Sequence, residues 1–189
     1  MHGIEQLELH TERLVLKVLG PDFAQQSLEY YTRNRAFLAE WNPLPTADFY
    51  TLPYHQERLR AEFSMIAEGR MARFWLFKRT DAAYTTAIGN IAFNNIVRGA
   101  FQSCHLGYQL DEREINQGFI TEALRRAIDY AFEDLQLHRI EANIMPRNQR
   151  SRRVVEKLGF VEEGLARQYL KINGVWEDHI HYVLLNDAV

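Results

Sequence analysis

Residues 108–124 read YQLDEREINQGFITEAL, and this stretch decides the fold. It begins as the end of a strand, because the apolar residues from Cys104 to Leu110 alternate with the residues between them. It continues as an amphipathic helix, in which apolar residues recur at helical spacing from Phe119 onward. The first turn of a helix has unpaired N–H groups, so a strand that enters a helix through a glycine-containing turn predicts an anion site.

The turn carries residues that suit phosphate oxygens. Gly118 lets the backbone approach a ligand, Arg113 adds a positive charge at the edge of the loop, and Thr121 adds a hydroxyl one turn into the helix. The sequence contains neither GxGxxG nor GxxxxGK[ST], so neither a Rossmann dinucleotide site nor a P-loop is predicted. Such a glycine is also compatible with a simple turn, and the loop alone leaves both interpretations open.

Composition indicates one compact domain over residues 1–189. The chain is 47% hydrophobic and 25% charged, which suits a full core. Its 22 Lys and Arg residues against 25 Asp and Glu residues give a net charge of −3, too small for a general electrostatic attraction to nucleic acid or membrane. Any basic or acidic partner would have to be recognised locally.

Cysteine content and hydropathy exclude further classes of site. The single cysteine, Cys104, rules out an internal disulfide and a cysteine-based zinc cluster, and its apolar strand predicts a small buried side chain. No apolar run approaches the roughly 20 residues of a membrane span, and the start of the chain lacks a signal-peptide core. We therefore expect a cytoplasmic protein.

Hydrophobic periodicity and turn signals predict the order β-α-α-β-β-β-α-β-α-β-β. Asp22 is the expected N-cap of the first helix, which should run to about Leu38, and Gly159 is the expected C-cap of the last. Arg98-Gly99 and Asn173-Gly174 are predicted hairpin turns. The predicted strands are 12–19, 73–78, 86–97, 101–110, 139–144 and two from 160 onward, and the helices are 22–38, 55–67, one from 119, and 149–158.

This order and several stretches resemble the Gcn5-related N-acetyltransferase (GNAT) superfamily. Residues 113–118, REINQG, are similar to its pyrophosphate loop, [Q/R]-x-x-G-x-[G/A], with Asn116 in the first glycine position. Asparagine tolerates left-handed backbone angles better than most residues, so this departure is compatible with the loop. The blocks at 95–111, 117–124, 138–160 and 162–185 resemble the Rim branch, and RimJ-type ribosomal-protein alanine N-acetyltransferases most of all.

The resemblance implies an α+β fold, an α/β/α sandwich around a mixed, mostly antiparallel seven-stranded sheet that splays at its fourth and fifth strands. It also implies acetyl-CoA as the cosubstrate, with no metal and no covalent intermediate. Amides on the fourth strand would bind the pantetheine and the thioester carbonyl. The implied cofactor-binding residues are Leu106, Tyr108, Leu110, Arg113, Asn116, Gln117, Gly118, Phe119, Thr121, Asn143, Asn148 and Arg152.

The residues after β-strand 139–144 offer a candidate for the group near the coenzyme A sulfur. Many relatives have a tyrosine seven residues after the asparagine that corresponds to Asn148, but Val155 lies there. The Rim-like N-x-x-S pattern suggests Ser151 near the coenzyme A sulfur, although a serine at a helix start is also a common cap. One Rim relative has a glutamate at the position of Asn143, which cannot take a proton and which we expect to bind the pantetheine arm.

Glu141 is our candidate general base, with Glu163 and Glu177 as alternatives; all three are also compatible with surface positions. A site without a strong base favours an N-terminal amine. An α-amine with a pKa of about 8 needs about 1.4 kcal/mol to become neutral at pH 7, whereas a lysine amine near 10.4 needs about 4.6 kcal/mol.

On the substrate side, Trp41 belongs to the proline- and aromatic-rich loop that resembles the family's acceptor loop, and His105 has either a substrate-facing or a structural role. The arginines around Arg150 are suited to the 3′-phosphate of coenzyme A, to ribosomal RNA, or to solvent. The resemblance implies acetylation of the N-terminal α-amine of a small-subunit ribosomal protein beginning with alanine. Two alternatives stay open: a small-molecule N-acetyltransferase acting on an antibiotic, polyamine or aminoacyl-nucleotide, and a ribosome-associated binding module with little catalysis.

Overall fold

An eight-stranded sheet runs through the middle of the protein in this computed structural model, which describes residues 7–188. Every neighbouring pair of strands is antiparallel except β5 and β6, which are parallel. This confirms the predicted mixed, mostly antiparallel sheet. In sheet order the strands are β1 (Glu8–His10), β2 (Leu14–Lys17), β3 (Ala72–Lys78), β4 (Gly89–Val97), β5 (Ser103–Leu110), β6 (Arg139–Ile144), β8 (Val175–Leu185) and β7 (Val161–Ile172).

Five α-helices cover the two faces of the sheet: α1 (Ala24–Arg33), α2 (Arg35–Ala39), α3 (Leu52–Ala67), α4 (Phe119–Glu133) and α5 (Gln149–Lys157). Strand β3 is buried on both sides. Phe74 and Leu76 pack in the core that contains α4 and α5, whereas Trp75 and Phe77 pack in the core that contains Tyr30 of α1. The predicted α/β/α sandwich is therefore confirmed.

Besides shifts of one to three residues at the ends of other elements, the structure differs from the sequence prediction in three ways. The sheet has an eighth strand, since Glu8–His10 pairs with β2, and three residues are too few to show a period-two pattern. Asp22 does not cap a helix; it lies inside a 3₁₀ turn, Pro21–Phe23, that precedes α1. The single helix predicted up to Leu38 is interrupted at Asn34, where α1 ends and α2 begins.

The predicted turn residues adopt the expected backbone angles. Asn173 and Gly174 have φ of 44° and 83°, and Gly159 after α5 has φ of 86°. None of the helices within residues 7–188 is both long and apolar enough to cross a membrane.

Candidate active site

A gap in the sheet marks the site. Strands β5 and β6 pair through only three positions, the last of which joins His105 to Glu141. β5 continues to Leu110 and β6 to Ile144, so the two strands diverge beyond this pair. This confirms the predicted splay and leaves the facing strand edges for a ligand to pair with.

The loop predicted to bind phosphate, residues 111–118, follows β5 and leads into α4, and is called the phosphate loop below. Asp111 starts a 3₁₀ turn over Glu112–Glu114, and the chain then enters left-handed angles at Asn116, with φ of 63°, and at Gly118, with φ of 80°. Gly118 occupies the N-cap position of α4. Because glycine has no side chain to cap the helix, the first amides of α4 are free to bind an anion. The asparagine in the first glycine position therefore has the backbone conformation that a glycine would adopt.

Contacts from two directions hold this loop. On one side, Arg13 donates to the Gln117 carbonyl at 3.0 Å and to Glu122 of α4 at 2.7 Å. On the other, buried Asn34 accepts from the Glu112 amide at 3.0 Å, and Arg33 donates to Asp111 at 2.6 Å. Burial alone would raise the pKa of Asp111, but bonds from the Arg113 amide and from Arg33 lower it below its ordinary value.

Helix α5 forms the opposite wall. The Asn148 side chain caps this helix by accepting from the Ser151 amide at 3.1 Å. Tyr108 crosses from β5 and donates its hydroxyl to the Ser151 carbonyl at 3.0 Å, and burial raises the pKa of Tyr108 well above its ordinary value, so the phenol stays protonated. These bonds fix the first turn of α5 against the edge of β5.

The loop, β5 and α5 enclose one cleft of about 1180 Å³. Arg150, Arg153 and Lys157 line it from one face of α5, since they are three and four residues apart. The other end of the cleft is lined by Phe37 and Trp41, from α2 and the loop after it. The cleft thus joins a basic, phosphate-suited end to an aromatic end.

The cleft brings together eight of the residues that the sequence singled out: Trp41, Tyr108, Leu110, Asn116, Gly118, Thr121, Asn148 and Ser151. The other predicted residues lie around it. Leu106 and Phe119 are buried in the core beneath the cleft, and Arg113 and Gln117 are exposed on the loop. Arg152 donates to the Tyr182 hydroxyl at 2.9 Å instead of lining the cleft, because it projects from a different side of α5 than Arg150 and Arg153.

The three carboxylates considered as bases are each bound to an arginine. Arg139 donates to Glu141 at 2.8 Å and to Glu163 at 2.5 Å. Arg147 donates to Glu177 at 3.0 Å. Because an arginine bond stabilises the charged form of a carboxylate and makes it a weaker proton acceptor, the structure gives no support to Glu141 as the base.

His105 and Asn143 lie on the face of the sheet away from α4 and α5. His105 is 3.6 Å from Glu141 and 3.3 Å from Asn95, at the end of the paired part of β5. Asn143 is two residues into the gap and donates to the Tyr169 hydroxyl at 3.4 Å. Cys104 is buried, as predicted, and burial followed by the nearby Glu141 raises its pKa to about 12, so it is a poor nucleophile.

Arg150 and Arg153, which belong to the arginine cluster considered for the 3′-phosphate, line the cleft. Sequence reasoning missed Lys157, although its spacing from Arg153 places it on the same helical face. It also missed Phe37, because α2 was expected to be the continuation of α1. No cluster of three metal-ligating side chains occurs in the part of the chain that the structure describes.

Comparisons with known proteins agree with this geometry. The family model described as "Acetyltransferase (GNAT) domain" matches residues 13–161. A probable N-acetyltransferase, YjcK of Bacillus subtilis, is 40% identical over 86% of this chain and 88% of its own, and the [ribosomal protein uS5]-alanine N-acetyltransferase of Escherichia coli is 36% identical over 94% and 90%. The structure of Mycobacterium smegmatis RimJ in complex with CoA-disulfide superposes with a TM-score of 0.89 at 25% identity, covering 100% of this chain and 92% of that one. This chain therefore belongs to the GNAT acetyltransferase family and is an N-acetyltransferase that uses acetyl-CoA.

Proposed function

We propose that this N-acetyltransferase modifies the N-terminal α-amine of a ribosomal protein that begins with alanine, by direct attack of the amine on acetyl-CoA in a ternary complex. The observation that carries the proposal is the single cleft that extends from the phosphate loop along β5 to Trp41. Its two ends allow both substrates to be bound at once. The uS5-alanine N-acetyltransferase, which is similar along nearly the whole chain, supports the choice of acceptor.

The basic end fits coenzyme A. The free amides at the start of α4 suit the pyrophosphate, and the exposed cations Arg150, Arg153 and Lys157 suit the remaining phosphate. Acetyl-CoA supplies the activated acetyl group. Tyr108 and Asn148 hold the first turn of α5, and with it Ser151, in place beside the gap.

The acceptor end suits a peptide terminus better than a small polycation. Arg147 forms ion pairs with both Glu40 and Glu177 and stacks over Trp41, with 5.1 Å between its guanidinium carbon and the ring centroid. Among residues 7–188, Glu156 is the one carboxylate that lines the cleft. A polyamine would be favoured by unpaired carboxylates, whereas a peptide brings one amine and a neutral backbone.

Intact-mass analysis tests this proposal. The purified protein is incubated with acetyl-CoA and, separately, an Ala-starting ribosomal peptide, the same peptide with a blocked N-terminus, and spermidine. We expect one added acetyl group on the free-amine peptide alone. Acetylation of spermidine alone would contradict the proposal in favour of small-molecule chemistry, and binding of acetyl-CoA without transfer to any acceptor would favour a ribosome-associated binding role.

A further inference from the structure

Three side chains near the gap each have a buried polar atom without a hydrogen-bond partner among residues 7–188: Gln109 Oε1, Asn143 Oδ1 and His181 Nε2. Folded proteins rarely leave such atoms unpaired, and each exception calls for an explanation. All three atoms can accept a hydrogen bond from an amine, because two are amide oxygens and the third is an imidazole nitrogen.

The strand register places two of these side chains next to each other. Asn143 lies on β6, two residues past the last position that pairs with β5, and His181 is directly opposite it on β8. Side chains at paired antiparallel positions share a face of the sheet and lie about 5 Å apart at Cβ. This face is opposite the one from which Ala142 and Tyr182 pack into the core with α4 and α5.

Gly107 leaves room on the β5 side of the gap. It lies two residues past His105, so it matches Asn143 in position along the splayed strands. A Cβ added to Gly107 would meet a single side-chain atom within 4 Å, Asn94 Nδ2 at 3.8 Å. We call the space bordered by Gly107, Gln109, Asn143 and His181 the amine basin.

Tyr169 covers one side of the amine basin. It lies in an irregular part of β7, between Ala166 and Leu170, where the register with β8 shifts. The Tyr169 ring packs edge-on against His181 with centroids 4.8 Å apart, and its hydroxyl accepts from Asn143 Nδ2. The Asn143 amide is thereby oriented with its oxygen left for a ligand.

We infer that His181 is the catalytic residue that accepts the proton of the acceptor amine, and that Asn143 positions the amine nitrogen. This inference rests on the proposed N-acetyltransferase reaction but not on which amine is the natural acceptor. The three nearby carboxylates are occupied by Arg139 and Arg147, which leaves the imidazole of His181 as a proton acceptor without a partner at Nε2. Histidine is suited to this role because its protonation changes between pH 5 and 8.

The proton and bond changes balance without another reactant. The ammonium form of the acceptor gives one proton to His181 Nε2, and the neutral amine forms a C–N bond to the thioester carbonyl carbon as the C–S bond breaks. After the attack the nitrogen carries one proton more than the amide product. It gives this proton to the departing thiolate, directly or through solvent, and coenzyme A leaves as the free thiol. His181 then releases its proton to water.

Charged and titratable groups of both signs face His181. From its own strand these are His179 and Glu177; from β7, Tyr169 and Glu163; and from β6, Glu141 and Arg139. Burial lowers the pKa of His179 below its ordinary value, although the hydrogen bond to the Glu177 carbonyl opposes this shift, so His179 is neutral near pH 7.

The test compares His181→Gln and His181→Asn with the wild type, using whichever acceptor the wild type acetylates fastest. His138→Gln, at an exposed residue just before β6 and outside the amine basin, is the matched control. We expect kcat of the wild type to rise with pH through one ionisation between pH 5 and 8. Both His181 variants should lose this ionisation and about 100-fold or more in kcat, with the dissociation constant for acetyl-CoA changed less than threefold.

Retention of the ionisation in either variant, or a loss of kcat below threefold, would overturn the inference. If neither variant folds, the side chain is followed in the wild type by NMR titration of its imidazole nitrogens, assigned through the backbone resonances of residue 181, since both His179 and His181 pack against the Tyr169 ring. An imidazole that titrates at the pKa of the kcat profile supports the inference, and one that does not titrate between pH 5 and 9 refutes it. A wild type without activity on any amine would instead count against the proposed function.

Discussion

Backbone angles at single residues decide whether the phosphate loop can form. Asn116 and Gly118 both have φ in the left-handed region, at 63° and 80°. That region costs most residues about 1–2 kcal/mol, less for asparagine, and little for glycine. The sequence could predict this feature because it depends on local conformation.

We expect Asn116→Val to lower the free energy of unfolding by about 1–2 kcal/mol, since a β-branched residue tolerates the left-handed angle poorly. Asn116→Gly should stay within about 1 kcal/mol of the wild type. Urea unfolding followed by circular dichroism measures both. Equal stability of the valine and glycine variants would contradict the observed angle.

Gly107→Ala tests the space in the gap. The added methyl group has room, so the variant should fold with little change in stability. It would occupy the amine basin, and we expect kcat/KM for the acceptor to fall about tenfold or more because small displacements of reacting groups are costly. The dissociation constant for acetyl-CoA, measured by calorimetry, should change less; an unaltered kcat/KM for the acceptor would show that the amine does not enter here.

The sequence could not predict which way individual side chains point. Arg152 and Arg153 are adjacent in the chain, yet Arg153 lines the cleft while Arg152 binds Tyr182. Which of them faces the ligand depends on how α5 is rotated against the sheet. The pairing of Asn143 with His181 could not be predicted either, because it depends on the register between β6 and β8, and the two residues are 38 positions apart in the chain.

At the scale of elements, the break between α1 and α2 connects these helices to the phosphate loop. Asn34 donates to the Tyr30 carbonyl at 3.0 Å and accepts from the Glu112 amide, so it ties the end of α1 to the phosphate loop. Periodicity could not locate the break, since apolar residues continue at helical offsets into α2. The interruption turns Phe37 and Trp41 toward the cleft.

Asn34→Ala should destabilise the protein by about 1–3 kcal/mol, because it leaves the Glu112 amide without its partner. It should also raise KM for acetyl-CoA by loosening the loop. Gln25→Ala, on the exposed side of α1, is the control and should be near neutral. Thermal unfolding and steady-state kinetics measure the two effects. A KM for acetyl-CoA equal to that of the wild type would show that Asn34 does not support the binding conformation of the loop.

The basic face of α5 is the second element with a measurable role. We expect Arg153→Gln or Lys157→Gln to raise KM for acetyl-CoA by about tenfold, the loss associated with one charged hydrogen bond. Arg125→Gln, an exposed charge on α4 that does not line the cleft, should leave KM within about twofold. If Arg125→Gln had the same effect, net charge rather than α5 would explain the attraction.

At the scale of the whole molecule, ion pairs of buried and half-buried carboxylates link stability to pH. The bond from the Arg113 amide and the Arg33 pair lower the pKa of Asp111 below the unfolded value despite burial, and Thr11 and Arg13 do the same for Glu122. A carboxyl whose pKa is lower in the folded state adds stability above its unfolded pKa, and this contribution is lost as the pH falls through the folded pKa.

We therefore expect the free energy of unfolding to be nearly constant from pH 6 to 5 and to decline from about pH 4 downward. Asp111→Asn should be less stable than the wild type at pH 6, and the difference should shrink at pH 3. Urea unfolding at these pH values measures it. A difference that grows toward pH 3 would contradict the assigned direction of the Asp111 pKa.

The overall architecture was largely predictable because the order of elements and the loop pattern resemble one family from end to end. The splay between β5 and β6 followed from that resemblance alone, since no local signal in either strand shows where pairing stops. The eighth strand and the amine basin were not predictable, because they depend on tertiary pairing of short or distant segments.

In the proposed mechanism the protein holds both substrates at the same time and transfers the acetyl group directly, with no acetylated enzyme. Initial velocities measured while acetyl-CoA and the acceptor are both varied test it most directly. Double-reciprocal plots should give intersecting lines, as a ternary complex requires. Parallel lines, together with an acetyl group retained on the protein in the absence of acceptor, would reveal a covalent intermediate and contradict the account.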